Sequence, residues 1–474
     1  MAGVTEGNRK WWTLFAISFS LFVINLDNTV VVVALPAIRE DLDMGLSGLE
    51  WIINAYTLVF AVLLLFGGKL ADLLGRRRIL LAGLVVFEIS SVVCALAGDG
   101  NILIAGRAIQ GVGAAFMLPA TLSLVSANFA PHERGMAFGI WAGVSALALA
   151  IGPLVGGLLV DGIDWRWIFY INVPIGIVGF ATVRILVRES RDESGVRGLD
   201  IPGLLIGALA TFALIFALTE ANRYGWGSTR IVALLTGSSV GLVVFVVVEL
   251  RGRDSMLDMS VFRNATFTGA NVVGLMIMLS LFGALIYLSI FAQDVLFYSP
   301  LEAGAAFMPL TVMLMLTAPI GGKLSDEIGP GGPMALGMAL FGGALLLLSR
   351  LGADWGFWDM LPGLAFAGIG FGLTMPASTA AALGCVPVDK AGVASGVLNS
   401  FRQLGGALGI AVTGAIVAGS VGSFLPGDPE FGSAFVTGTH NGLRVAAFVA
   451  LAGAVIAALT VKQPALPAET SAAR

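Results

Sequence analysis

Fourteen apolar runs, each long enough to cross a bilayer, limit what this 474-residue chain can fold into. They fall at about 12–36, 49–69, 79–97, 102–125, 135–160, 165–187, 200–219, 230–250, 266–291, 302–320, 334–351, 360–383, 392–420 and 441–462. Inside lipid no water satisfies backbone N–H and C=O groups, so each run must be a helix or a strand of a closed barrel. No alternating strand pattern is present, which leaves helices. Charged residues make up only 12% of the chain. A soluble domain carries about twice that share, so the expected fold is an all-α integral membrane protein, not a soluble domain with one anchor. The first run is too long for a signal peptide and reads as a retained helix.

Lys and Arg set the orientation. With the N-terminus inside, eighteen of them fall in inner segments and six in outer ones, while Arg107 and Arg402 lie within spans. Both termini are therefore expected in the cytoplasm and the protein in the cytoplasmic (inner) membrane. A repeat fixes the internal organisation. Gly67-Gly68-Lys69-Leu70-Ala71-Asp72-Leu73-Leu74-Gly75 returns as Gly321-Gly322-Lys323-Leu324-Ser325-Asp326-Glu327-Ile328-Gly329. Each copy follows the second span of a six-span block, one at 12–187 and one at 266–462. Six is even, so both blocks enter the membrane in the same direction. The pattern predicts two parallel six-helix bundles with a cavity between them. The segment 188–265 is a linker holding two extra helices that belong to neither block, and about 421–440 is a Gly-rich outer loop.

Charges inside the apolar runs point to function. Asp27 lies roughly fifteen residues into the first run, at hydrocarbon depth, where a carboxyl costs about 2.5–3.5 kcal/mol. It persists there when it faces a wet cavity or a partner, and Asn28 and Thr29 add polarity beside it; the bland alternative is a protonated Asp27 bonded to a neighbouring helix. Arg107 lies at comparable depth in the fourth run, and is either a partner for such a carboxyl or an arginine reaching the outer interface. Glu88, near the centre of the third run, is either a second protonatable site or a carboxylic acid bonded to Ser90 or Ser91. Arg402 lies roughly 15 Å into the thirteenth run, with structural pairing and a cavity role equally open. Glu220, Asp294 and Glu302 fall at outer helix ends and read as solvated. Trp51, Asn54, Tyr56, Met117, Met276, Met278, Tyr287, Phe291 and Met375 are candidates for an adaptable apolar lining, with ordinary packing the alternative for each.

Four elements in order carry a resemblance. Leu26-Asp27-x-Thr29-Val30-Val31-x-x-Ala34-Leu35-Pro36 opens the series. Gly68-x-Leu70-Ala71-Asp72-x-x-Gly75-Arg76-Arg77 follows, then Arg107-Ala108-Ile109-Gln110-Gly111-Val112-Gly113 and Gly152-Pro153-Leu154-Val155-Gly156-Gly157. Over nearly its whole length the chain resembles the fourteen-helix drug–proton antiporter branch of the major facilitator superfamily. It departs at Val32, Leu73 and Ala148, where that branch often has Asn, a basic residue and Gly. The resemblance implies that Asp72, with Gly68, Gly75, Arg76 and the repeat's Asp326, gates the inner face. It implies that Gly152, Pro153 and Gly156 form a hinge and proton seal between the halves, and that Asp27 and Arg107 couple to protons; no motif of the family calls for an acid at Glu88, which is a proton-coupling candidate on its position alone. Asn28, Trp51, Asn54, Tyr56, Met117, Tyr287, Phe291 and Arg402 are then cavity candidates.

The function expected is proton-coupled efflux of lipophilic, neutral or monocationic organic compounds by alternating access. Few acids lie at membrane depth, so dications are disfavoured. The alternative is export of one endogenous product, such as a lipid, siderophore or self-made antibiotic. No nucleophile–base pair, metal cluster or phosphate loop suggests an enzyme. Cys94 and Cys385 read as packing residues, and His132 and His440 are too isolated for a metal site. No cofactor beyond the proton gradient is expected. The partners are small organic substrates, protons and the bilayer, with no nucleic acid for a chain of net charge −4, and the state is a monomer.

Overall fold

The computed structural model describes residues 7–191, 201–251, 259–298, 300–350, 352, 355–422 and 431–462. The expected linker segment 188–265 therefore lies partly outside the described residues. Among those described there is no strand, and fourteen helical stretches are long and apolar enough to span a membrane. In chain order the first helices are α1 (Arg9–Asp41), α2 (Leu46–Leu74), α3 (Arg76–Ala95), α4 (Gly100–Asn128), α5 (Arg134–Gly162), α6 (Trp167–Tyr170) and α7 (Asn172–Leu186). The inserted pair is α8 (Ile201–Tyr224) and α9 (Thr229–Arg251). Then come α10 (Ala265–Ile290), α11 (Pro300–Ala306), α12 (Met308–Ile328), α13 (Gly331–Leu348), α14 (Phe357–Gly384), α15 (Ala391–Val421) and α16 (Phe431–Thr460). Helices α6 and α7 together make one span, as do α11 and α12.

Local chemistry fixes the helix ends. The Asp99 carboxylate accepts from the N–H groups of Asn101 (2.8 Å) and Ile102 (3.0 Å), capping α4. The Asn264 side chain does the same for α10 through Thr266 N–H at 2.9 Å. Gly75 and Gly329 occupy equivalent turns of the repeat with φ of 111° and 86°, a region that favours glycine. The last helix begins well before the expected start at 441, so residues 431–440 are helix and not loop. Gly438 explains the extension: it lies against Val417 and Ser420, so α15 and α16 stay paired beyond the apolar run.

The inserted α8 packs against both α2 and α15, and α9 packs on α8, so the extra pair joins a seam between the two six-helix groups. The groups themselves meet through α2 with α15 and α5 with α12. Glycine sets how close they come. A side chain on Gly68 would strike the carbonyl of Gly392, and one on Gly135 the carbonyl of Gly322. Gly396 and Gly139 repeat these approaches one turn on, against Leu64 and Ala318. All of them lie in the half of the molecule where α1 begins and α16 ends, called here the basic face because Arg76, Arg77, Arg78 and Lys323 cluster there.

Two carboxylates tie the groups together at this face. Asp72, at the end of α2, accepts from the backbone N–H groups of Gly392 and Val393, both at 3.0 Å, in the first turn of α15. Asp326, at the end of α12, accepts from Gly135 (2.7 Å) and Met136 (2.8 Å) in the first turn of α5. Each carboxylate thus meets the positive end of a helix dipole belonging to the other group. The copies differ in one respect. Arg76 donates to Asp72 from Nη2 (2.9 Å) and Nε (3.2 Å), and also to the Val388 carbonyl across the seam. At the matching place after Asp326 stands Pro330, which cannot.

Replacing both latch carboxylates by amides removes the charge from the four backbone hydrogen bonds across the seam and from the two that Arg76 donates, a loss of about 1–2 kcal/mol for each latch. Asp72→Asn with Asp326→Asn should therefore shift the balance towards an open basic face by at least about tenfold. Spin labels at Arg78→Cys and Ile328→Cys, both exposed positions, report it once Cys94 and Cys385 are replaced. A longer inter-label distance should become the main population in the double variant. An unchanged distribution would mean that the carboxylates only cap helices.

Candidate functional site: a buried carboxylate–guanidinium pair

Asp27 is completely buried, yet it is not in contact with lipid. Five helices of the first group converge on it. Its Oδ2 accepts from Arg107 Nη1 at 2.5 Å. Its Oδ1 accepts from Gln110 Nε2 and Asn172 Nδ2, each at 2.9 Å. Gln110 also receives a bond from Arg107 Nη1 at 2.7 Å, so one amide bridges both members of the pair. Ser91 Oγ accepts from Gln110 (2.7 Å) and Asn172 (3.2 Å), bringing α3 into the network. Arg107 Nε donates to the Ile52 carbonyl at 3.2 Å, and its guanidinium lies 4.4 Å from the centre of the Tyr56 ring. Asp27, Gln110, Asn172 and Ser91 have 0% relative exposure and Arg107 and Tyr56 1%, so the pair is closed off from solvent in this conformation.

The sequence placed Asp27 and Arg107 at the same depth, and the structure joins them. Arg107 does not reach for an interface. The motif Arg107–Gly113 contains Gln110 but gives it no role, and no motif includes Asn172. The available signal was spacing: Gln110 is three residues from Arg107 and must share its helix face. Asn172 is a lone amide at the start of an apolar helix.

Glu88 is set apart from this network. Its two carboxylate oxygens are buried without a hydrogen-bond partner, and the expected bond to Ser90 or Ser91 is absent. Ser90 donates to Val86 and Phe87 carbonyls instead, while Ser91 serves the Asp27 network. The Glu88 side chain occupies a notch on α7 that exists because Gly176 has no Cβ. Glu88 is nevertheless only three residues from Ser91 on α3, one turn from the Asp27 cluster.

The glycine–proline element of α5 sits elsewhere than expected. Gly152 faces Thr29 and Gly156 faces Val30, both on α1. In this conformation these two contacts lie within the first group. The helix crosses from the seam near Gly135 to α1 near Gly152, with Pro153 at the place where its hydrogen-bond ladder is interrupted.

The cavity candidates divide. Met117 packs against Gly83 on α3, and Phe291 is a fully enclosed core residue at the end of α10, so neither lines a cavity. Tyr56 is the buried platform for Arg107 already described. Asn28 and Tyr287 are half-buried, with Tyr287 near Gly414 of α15. Trp51 and Asn54 line a small side pocket between α2 and α8, shared with Thr57, Phe216 and Glu220. Glu220 was expected to be solvated. It is 5% exposed, covered because α8 lies against α2, with Arg223 Nη1 3.6 Å from its Oε2. Arg402 is 5% exposed and held in the second group by α14, through Ser378 and Thr379. Cys94 and Cys385 are free thiols, and among the described residues no group of side chains is arranged to hold a metal.

Comparison with known proteins agrees with this geometry. The family model of the Major Facilitator Superfamily matches residues 17–410. The tetracenomycin C resistance and export protein of Streptomyces glaucescens is 34% identical over 418 residues, 88% of this chain and 78% of that one. A multidrug transporter protein of Bacillus subtilis is 33% identical over 425 residues, 89% of this chain and 78% of its own. Among solved structures, the crystal structure of a human organic anion transporter superposes with a TM-score of 0.65, covering 94% of this chain and 99% of that one. At 15% identity that likeness speaks for the fold alone. With fourteen spans, a duplicated latch loop and a family match across most of its length, this multi-pass membrane chain belongs to the major facilitator superfamily.

Proposed function

We propose that the protein exports lipophilic organic compounds from the cytoplasm, each cycle driven by protons moving inward through Asp27. The observation that carries this is the sealed Asp27–Arg107 pair, whose stability depends on the charge of one carboxyl. Protonating Asp27 removes the negative member and leaves Arg107 with only Gln110, the Ile52 carbonyl and the Tyr56 ring. An uncompensated guanidinium at that depth is costly, so α4 and α2 must rearrange against α1 to find it another partner. A proton is in this way converted into a helix displacement. Similarity to drug and antibiotic exporters favours the outward direction for the cargo.

The remaining parts follow. The basic face is the cytoplasmic side and the membrane is the cell's inner membrane, with both termini inside. Helices within 12–187 and 266–462 rock as two bundles. Asp72, Asp326 and Arg76 hold the cytoplasmic face closed, with Gly68 and Gly75 allowing the close approach and the turn. Gly152, Pro153 and Gly156 let α5 slide on α1. Glu88, one turn away, is the second proton-carrying group, and the protein works as a monomer without a cofactor. Because the one central acid is already ion-paired, the protein can offset no more than one positive charge on its cargo, which favours neutral and monocationic compounds over dications.

In inside-out vesicles an acid lumen should drive accumulation of the monocation ethidium. Asp27→Asn should cut that proton-driven uptake at least about tenfold, since the paired charge is lost outright. Full gradient-driven transport by this variant would refute the proposed coupling. The second expected outcome concerns charge: ethidium should be carried faster than the dication dequalinium, and equal rates would contradict the charge limit. A narrower reading, export of a single endogenous product, is favoured by the similarity to the tetracenomycin C resistance and export protein. An untargeted comparison of metabolites excreted by wild-type and deletion cells separates the two, because only a dedicated exporter leaves one compound behind in the cell.

A further inference from the structure

The two halves of the membrane interior are not balanced in charge. In the first group Arg107 is matched by Asp27. In the second group Arg402 lies eleven residues into α15, about 16 Å from its start along the axis. It is 5% exposed and takes part in none of the ion pairs found among the described residues. No spanning helix of the second group supplies a counter-ion at its depth. Helices α10, α13, α15 and α16 contain no acid at all. Those of α12 are Asp326 and Glu327 at its basic end, and that of α14 is Asp359 in its first turn, nearly twenty residues from Ser378.

What Arg402 does have is a partial set of neutral acceptors. Its Nη2 donates to Thr379 Oγ1 at 2.8 Å, Ser378 Oγ at 2.9 Å and, weakly, the Met375 carbonyl at 3.4 Å. Its Nε is buried without a partner. On that side stands Gly274 of α10, which brings no side chain to it; a Cβ there would lie 3.7 Å from Nε. A clip between α14 and α15 would need only a neutral donor, such as glutamine, and would avoid the cost of a buried unpaired charge. A guanidinium offers a flat fork of donors suited to a planar oxyanion.

We propose that Arg402 is the anchor for one anionic oxygen group, a carboxylate, phenolate or sulfonate, on a lipophilic cargo molecule. The site rests on the export function proposed above and extends its cargo from neutral and monocationic compounds to lipophilic monoanions. The halves then have separate tasks: the first holds the proton-dependent pair, and the second holds the fixed positive charge that recognises an acid. Nη2 turns from Ser378 and Thr379 and, with the unpartnered Nε, binds the cargo when it enters between α10, α14 and α15.

A matched pair of fluorescent probes isolates the charge: dansyl sulfonate and the neutral dansylamide, bound to the full chain in lipid nanodiscs. The wild type should bind the sulfonate more tightly than the amide. Arg402→Gln should weaken the sulfonate about tenfold or more and leave the amide unchanged. Arg402→Lys, which keeps the charge without the fork, should fall between, and it stands in should the glutamine variant not fold. Equal weakening of both probes would make Arg402 a structural clip and overturn the proposal, as would no preference for the sulfonate in the wild type. Ethidium uptake by the wild-type protein in inside-out vesicles is measured alongside. If that uptake is intact and abolished by Asp27→Asn while the sulfonate shows no preference, the anion site alone is wrong; if there is no uptake, the export function itself fails.

Discussion

A carboxylate and a guanidinium removed from water must make up, between themselves and their immediate neighbours, a desolvation penalty of several kcal/mol for each ion. The Asp27–Arg107 pair meets that demand with a dense shell: two amides on the carboxylate, an amide and a carbonyl on the guanidinium, and an aromatic face beneath it. Those neighbours come from α1, α2, α4 and α7, and Ser91 adds α3. The first group is therefore held at its centre by a network in which three bonds end on the carboxylate of Asp27. Packing alone would tolerate small shifts between these helices. A buried charged network does not, and it ties the arrangement of the bundle to the charge on Asp27.

The basic face obeys a different logic. There the two groups are joined by carboxylates that bond backbone N–H groups, so the partner's side chains are irrelevant and only the closeness of its backbone matters. Glycine supplies that closeness. Gly68 and Gly392 on one side, Gly135 and Gly322 on the other, bring helix axes near enough for Asp72 and Asp326 to reach the first turns of α15 and α5. A larger residue at any of the four would push the acceptor out of range as well as clash. Latch and close approach are one device written twice by the repeat, with Arg76 strengthening one copy and Pro330 ending the other.

This explains which parts could be read from the sequence. Spans, duplication and the depth of Asp27 and Arg107 were legible because hydropathy and isolated charges are strong signals in a lipid-soluble chain. The acceptors' partners at the latches were not, since the N–H groups of Gly392, Val393, Gly135 and Met136 carry no residue identity. Asn172 and Gln110 escaped because a neutral amide in an apolar helix looks like any tolerated polar residue until its neighbours are known. Gly152 and Gly156 were read as a contact between halves; the motif fixes that helices approach there, but not that the other helix is α1. Glu220 was read as solvated from its position near a helix end, and the packing of α8 on α2 that buries it is a tertiary fact with no local sign.

Charge bookkeeping across the midplane links the two groups more closely than their contacts do. When Asp27 is ionised, the first group is neutral at its centre and the second carries the unpaired Arg402. When Asp27 is protonated, both groups carry one unpaired guanidinium, and the interior as a whole gains a positive charge with no acid to receive it unless Glu88 gives up a proton of its own. An incoming anion would relieve that state at Arg402, whereas an incoming cation would aggravate it. Protonation should therefore favour release of a cationic cargo and retention of an anionic one, so that a single titrating carboxyl acts on the two cargo classes in opposite senses. Under the export proposed above, an anion must therefore leave at the outer face before Asp27 takes up its proton, whereas a cation is released by that proton, so the order of proton entry and cargo exit differs between the two classes.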